Sequence, residues 1–262
     1  MTTEPAEPPD LARAVAFERW VVERTSSHAE VVPLGVVFTS EAFPARFDSN
    51  FLWTETLPKD VDAAELHAEA DRGLAAFAHR QLFVNDDEAG LRMEPGLAGL
   101  GYTHADRLVV MAQRRAPDLV PERLAPEVSF EEIRGLFEEV ARRSQDAGDH
   151  DAPDVAAAWG AHLVRTIGAR TFAVRVEGTP AGSADLYQHG DVAMVEDVAT
   201  LEEFRGRGVA RACVLAAVAA AREDGADLVF LHALAADWPR DLYAKLGFDE
   251  IGHVWSFTKR PG

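Results

Sequence analysis

The turn Arg205-Gly-Arg-Gly-Val-Ala210 joins an apolar strand, Val192–Thr200, to an alanine-rich helix, Val209–Glu223. Gly206 and Gly208 let the backbone run close to a ligand and take angles that a Cβ would forbid. The first amides of the helix have no partner within it, and the positive end of its dipole favours phosphate. Arg205 and Arg207 add positive charge beside those amides. A basic glycine turn between strand and helix is an anion cradle, suited to the pyrophosphate of a nucleotide-type cofactor. A P-loop is excluded, because Gly-x4-Gly-Lys-Ser/Thr is absent. A dinucleotide fingerprint is excluded too, since Arg211 stands where glycine or alanine is required.

The rest of the chain gives that cradle a setting. Its 262 residues, 47% of them hydrophobic, suffice for two small packed domains. No apolar run reaches the roughly 20 residues that cross a bilayer. The acidic, proline-rich opening at residues 1–10 reads as a flexible tail rather than a secretory leader. A single cysteine, Cys213, forms no internal disulfide and fits a reducing cytoplasm. It lies in an apolar helix and reads as a small buried hydrophobe. The formal net charge of -18 repels nucleic acid and anionic membranes; the acidity reads first as a device of solubility and only second as favouring a cationic substrate such as an amine. The Asp-His-Asp group within Asp146–Asp154 reads as a solvated loop, and no metal is expected.

Two halves meet at a polar joint, Gln113–Arg123, which carries two prolines and several charges. Before it, periodicity predicts a helix near 11–24, strands near 30–38 and 51–56, and a helix near 61–80. A strand at Gln81–Asn85, a helix near 88–99 and a strand at Leu108–Ala112 complete that half. After it, Ser129 with the carboxylates behind it predicts a capped helix to about Ser144. A helix near 154–166 follows, then strands Arg170–Val176, Ala181–Tyr187 and Val192–Thr200, with hairpin turns at Glu177–Pro180 and His189–Asp191. Strand Asp227–His232, helix Arg240–Leu246 and a strand near His253–Thr258 end the chain. Leu100-Gly-Tyr102 and Leu246-Gly-Phe248, each before a closing strand, form a weak internal echo.

Arg205-x-x-Gly208-x-Ala210, preceded by Val195-Glu-Asp-Val-Ala-Thr200, resembles the acetyl-CoA signature of the GNAT N-acetyltransferase superfamily. Leu242-Tyr-Ala-Lys-Leu-Gly-Phe248 resembles that family's later helix-to-strand motif, and together these motifs cover about half the chain. The resemblance implies an α/β GNAT fold, with a mixed, mostly antiparallel sheet flanked by helices. It implies acetyl-CoA in a split between two central strands, with Val198, Ala199 and Thr200 on the pantetheine arm. The pyrophosphate would rest on Arg205, Gly206, Arg207, Gly208, Val209, Ala210 and Arg211. Acetyl transfer would go directly to a primary amine of a small molecule or peptide, with Glu196 as base or water-positioner and Tyr243 as acid. Strand alternation puts Glu196, Val198 and Thr200 on one face and Asp197 on the other. His232, ending its strand near the split, reads as a structural histidine or a substrate contact. Asp237-Trp238-Pro239 departs from the family, which often has an asparagine there, and Asp237 reads as a helix cap.

The first half has no such signature. Residues 11–115 are expected to be a degenerate GNAT-like unit that supplies a wall of the acceptor site, beside a catalytic unit at 116–262. The competing reading is an unrelated α/β cap used for homodimerisation. For the whole chain, the alternative to an enzyme is a non-catalytic acyl-CoA sensor or scaffold.

Overall fold

The computed structural model describes residues 9–118, 121, 123–146, 152–235 and 239–261. Helix α1 (Asp10–Thr25) leads into strands β1 (His28–Val32), β2 (Gly35–Thr39) and β3 (Phe51–Thr54). Helix α2 (Ala63–Gly73), strand β4 (Arg80–Val84), helix α3 (Asp87–Gly99) and strand β5 (His104–Gln113) complete the first half. The second half holds β6 (Glu127–Val128), α4 (Phe130–Asp146), α5 (Pro153–Ile167), β7 (Arg170–Val176), β8 (Thr179–His189) and β9 (Val192–Thr200). It ends with α6 (Val209–Glu223), β10 (Leu228–Leu234), α7 (Pro239–Lys245) and β11 (Phe248–Lys259).

Local chemistry sets most second-half boundaries. The β7–β8 hairpin turns on Glu177 and Gly178, both at positive φ (52° and 83°), as a two-residue turn of matching twist requires. Glu132 accepts from the Ser129 amide at 2.9 Å and from its hydroxyl at 2.8 Å, which fixes the start of α4.

The first half differs from its sequence reading in three places. The strand expected near 30–38 is a hairpin, because Pro33 and Leu34 turn the chain between β1 and β2. The helix expected near 61–80 stops at Gly73, where Leu74 is fully buried and the His79 ring is drawn onto the Asn50 carbonyl at 3.0 Å. Asp10, expected in the tail, already opens α1; residues 1–8 lie outside the described residues. So do residues 147–151 of the Asp-His-Asp loop.

The pairing of the strands decides the architecture. All the strands form one sheet in the order β1-β2-β3-β4-β11-β5-β10-β9-β8-β7-β6. Strand β5, the last of the first half, pairs with β10 and β11, while β11, the last of the second, pairs with β4 and β5. Each half thus gives its closing strand to the other half's parallel pair, β3–β4 or β9–β10. The elements leading there repeat as well: a parallel pair, a helix, a glycine stop and a closing strand. Gly101 and Gly247 make those stops at φ 90° and 89°. At Gly247 a Cβ would fall 2.1 Å from the Arg115 carbonyl, so the joint between the halves packs directly on this turn.

Helices cover both faces. One face carries α6 and α7 over Val109, Val195 and Leu231, and α2 and α3 over Leu52, Leu82 and Trp255. On the other, α1 and α5 close over Phe51, Met194 and Phe230. Among the described residues no helix is long and apolar enough to cross a membrane.

Candidate active site

Strands β9 and β10 are paired only at Leu228–Val192, Val229–Ala193 and Phe230–Met194. Beyond Met194, β9 stays bonded to β8 as far as Thr200, and β10 stays bonded to β5 as far as Leu234. Their facing edges therefore part, leaving backbone groups of Val195–Thr200 and Leu231–Leu234 turned toward a wedge-shaped split. Val198, Ala199 and Thr200 lie on this free edge. Thr200 Oγ1 is buried there without a hydrogen-bond partner among the described residues.

The expected cradle stands where β9 hands over to α6. Gly206 and Gly208 have φ 72° and 74°, and Gly208 caps the helix with no side-chain bond to its amides and no acid in its first turn. The first bond into the helix is Ala212 N–H to the Gly208 carbonyl at 3.1 Å, so the amides of Val209, Ala210 and Arg211 have no acceptor within it. Four arginines gather here. Arg205 and Arg207 are exposed, Arg123 donates to the Arg207 carbonyl at 3.3 Å, and the Arg211 guanidinium lies close against Gly208.

The face assignment along β9 needs correction. Ser183 pairs with Ala199 and Asp185 with Glu196, so Asp197 and Val198 together oppose one residue of β8. This is a β-bulge, and Asp197 sits in it at φ 49°. The extra residue breaks the alternation. Glu196 and Asp197 both line the same cavity, on the face of α1 and α5, whereas Val198 packs on the α6 face.

That cavity holds an unusual density of acid. Burial pushes the Glu196 carboxyl up to about 7, with Asp197 adding to the rise and His232 opposing it. Asp185, fully enclosed and accepting from the Thr171 hydroxyl at 2.7 Å, is raised well above the carboxylate range by burial and by Asp197. Tyr187, held up likewise by burial, donates to Asp197 at 3.3 Å. His232 points in from β10 with Nε2 2.9 Å from Glu18 Oε1. Burial alone would lower its pKa; Glu18, with Glu196 behind it, outweighs that and the net direction is up. Glu18 comes from α1 in the first half, a partner that no local pattern in the sequence indicates.

Tyr243 is buried across the sheet from Glu196, tilted against Phe248 at 6.1 Å between ring centres. Burial raises its hydroxyl, and the Glu196 charge, felt across the split, raises it further. Asp237 and Trp238 lie outside the described residues; Pro239 begins α7. Cys213 is buried with its thiol 3.6 Å from the Gly182 carbonyl, and burial pushes it up to about 12, as befits an inert core thiol. Among the described residues no group of His, Cys, Asp and Glu could hold a metal ion.

Residues 133–248 match the model of the Acetyltransferase (GNAT) family, a match that takes in the split, the cradle and Tyr243. This region is a GNAT domain. The fold extends beyond the matched residues. A GCN5-related N-acetyltransferase from Kribbella flavida superposes with a TM-score of 0.65 at 20% identity, over 98% of each chain. A functionally unknown conserved protein from Staphylococcus epidermidis gives 0.66 at 15% identity, over 94% of this chain and 98% of that one. A tandem GNAT protein from the clavulanic acid biosynthesis pathway gives 0.53 at 15% identity, over 87% of this chain and 79% of that one. At these identities the likeness is one of fold. No match is found among curated proteins.

Set beside the GNAT domain, the first half shows the same order of elements with both ligand features closed. Its parallel pair leaves no long parted edges: β3 ends at Thr54 and β4 at Val84, where the Asn85 amide donates to the Thr54 carbonyl at 2.9 Å. Its helix α2 is capped by Asp62, whose carboxylate accepts from the Ala64 and Glu65 amides at 2.9 Å each. In the GNAT domain Gly208 leaves those positions open for an anion. In the first half a carboxylate already fills them.

Proposed function

We propose that the chain transfers an acetyl group from acetyl-CoA to a primary amine of a small molecule or peptide, by direct attack. The observation that carries this reading is the coincidence of an open β9–β10 split with an uncapped, arginine-ringed helix start at its mouth. Residues 205–211 would hold the pyrophosphate, and the free edge Val198–Thr200 the pantetheine arm. Bound acetyl-CoA supplies the thioester carbonyl that the amine attacks. Glu196, with its carboxyl near 7, is suited to take a proton from the incoming ammonium near neutral pH. Tyr243, kept protonated by burial, is the hydroxyl we assign to give one to the departing thiolate. Residues 11–115 are read as a degenerate copy that walls the acceptor pocket, and 116–262 as the catalytic unit.

Acetyl-CoA at 100 times its dissociation constant should stabilise the protein by about 2.7 kcal/mol, seen as a rise in Tm; an unmoved Tm removes the reading. Release of CoA across a panel of amines then tests for transfer, and binding without release on every amine favours the sensor. Tyr243→Phe should lower turnover by at least about tenfold while leaving acetyl-CoA affinity unchanged. Unchanged turnover removes Tyr243 as the acid.

A further inference from the structure

The cavity on the α1 and α5 face encloses about 450 Å³ and draws its walls from both halves. Most charged groups on those walls hold one another. Glu18 lies 2.9 Å from His232, Asp48 lies 3.8 Å from Arg46, and Asp197 accepts from the Tyr187 hydroxyl at 3.3 Å. Asp106 is engaged as well, and Arg46 also lies over the Trp159 ring at 4.9 Å. Glu196 differs. Among the described residues its one hydrogen bond comes from the Asp197 amide, at 3.3 Å, so its carboxyl keeps acceptor capacity for one incoming ammonium.

The wall leading away from Glu196 is hydrocarbon. Met194 stands two residues before Glu196 on β9, Val22 one helical turn beyond Glu18 on α1, and both line the cavity. The next strands across the sheet after β10 are β5 and β11, where Leu108 pairs with Val254. His232, level with Glu196, pairs with Val110, and Leu234 pairs with Leu108. Leu108 is thus two strand spacings across and two residues along from Glu196, about 12 Å away. Past Val254 comes a patch of rings, with Phe51 edge-on to Phe83 at 4.8 Å and Trp53 at 6.2 Å from Phe83. These apolar side chains form one continuous cluster. A second charge laid along this wall would lose its water without gaining a partner.

We infer that the acceptor is a primary monoamine with an extended hydrocarbon body, its ammonium on Glu196 and its body along Met194, Val22 and Leu108 toward the rings. Calling this amine the acceptor rests on the transferase reading; its binding does not. The first half then sets specificity, because Val22, Leu108 and the three rings all belong to it.

Calorimetric titration of the full chain without acetyl-CoA, at about pH 8 where Glu196 is ionised, tests this with n-octylamine, n-propylamine, 1-octanol and 1,8-diaminooctane. Octylamine should bind at least about tenfold more tightly than propylamine, since each buried methylene is worth up to about fourfold. Octanol lacks the charge and the diamine carries one too many, so each should bind at least about tenfold more weakly than octylamine. Leu108→Asn should weaken octylamine about fivefold or more and leave propylamine, whose chain stops short of it, unchanged. Propylamine, octanol or the diamine binding on a par with octylamine overturns the inference, and so does equal loss of both amines in Leu108→Asn. The ligand comparison on the parent chain stands whether or not that variant folds. CoA release separates the two readings. Binding that favours octylamine, without release on any amine, leaves the apolar amine site standing and sinks transfer. Release that ignores chain length or favours the diamine leaves transfer standing and sinks the inference.

Discussion

Gly208→Asp should weaken acetyl-CoA binding at least about 100-fold while leaving the fold close to its original stability. The substitution sets a carboxylate at the open start of α6; at α2 the Asp62 carboxylate accepts from the first amides at 2.9 Å, from an extended backbone (φ −102°) rather than the φ 74° of Gly208. Asp is among the best helix caps, worth about 1 kcal/mol. Against that stands the backbone at φ 74°, which costs a non-glycine residue about 1 kcal/mol or somewhat more. The new Cβ would meet only the Arg211 guanidinium, at 2.8 Å, the far end of a long side chain that can give way. These terms roughly cancel, so Tm should move by only a few degrees.

For a bound pyrophosphate nothing cancels. A like charge at about 4 Å costs about 4 kcal/mol at the screening typical of a protein surface. A 100-fold loss needs only about 2.7 kcal/mol of this. Gly208→Ala, with the same strain and no charge, should lose far less. Calorimetry with acetyl-CoA on the three proteins measures it. If the Asp variant binds within about threefold of the parent, the phosphates do not lie on these amides.

What could be read from the sequence was what is encoded locally. The cradle, the turn at Glu177–Gly178, the helix Val209–Glu223 and the strand Val192–Thr200 depend on residues within a few positions of one another. Features that depend on distant contacts were hidden. Nothing near His104–Gln113 signals that this strand leaves its own half to lie between β10 and β11; only the echo of Leu100-Gly-Tyr102 in Leu246-Gly-Phe248 hinted that the halves correspond. Strict alternation put Asp197 opposite Glu196, because a bulge adds a residue without any compositional mark. Glu18 escaped notice altogether. Its meaning arises only once α1 crosses the sheet and brings it 2.9 Å from His232.

The bulge also underlies the second large effect. Glu196→Gln should lower kcat/KM by about 100-fold to 1000-fold, within the range for losing a general base, and should change the pH response in a defined direction. The base is the ionised carboxylate, so the parent rate should climb with pH through about 7 and level off above it, while the Gln variant should lack that limb. Stability should respond with the opposite sign. The folded carboxyl titrates near 7 against an ordinary 4.5, so between these values the folded state binds more protons than the unfolded state. Stability is therefore full below about 4.5 and declines as pH rises to about 7, by about 1–3 kcal/mol in total. A glutamine of the same shape carries no such cost. The variant should match the parent near pH 4 and exceed it in denaturant midpoint at pH 8, even as it loses turnover. A rate loss without the stability gain would mean that Glu196 is not held in a desolvated site. A stability gain with full activity would mean that the proton leaves the amine by another route, for which the adjacent His232–Glu18 pair offers the nearest groups.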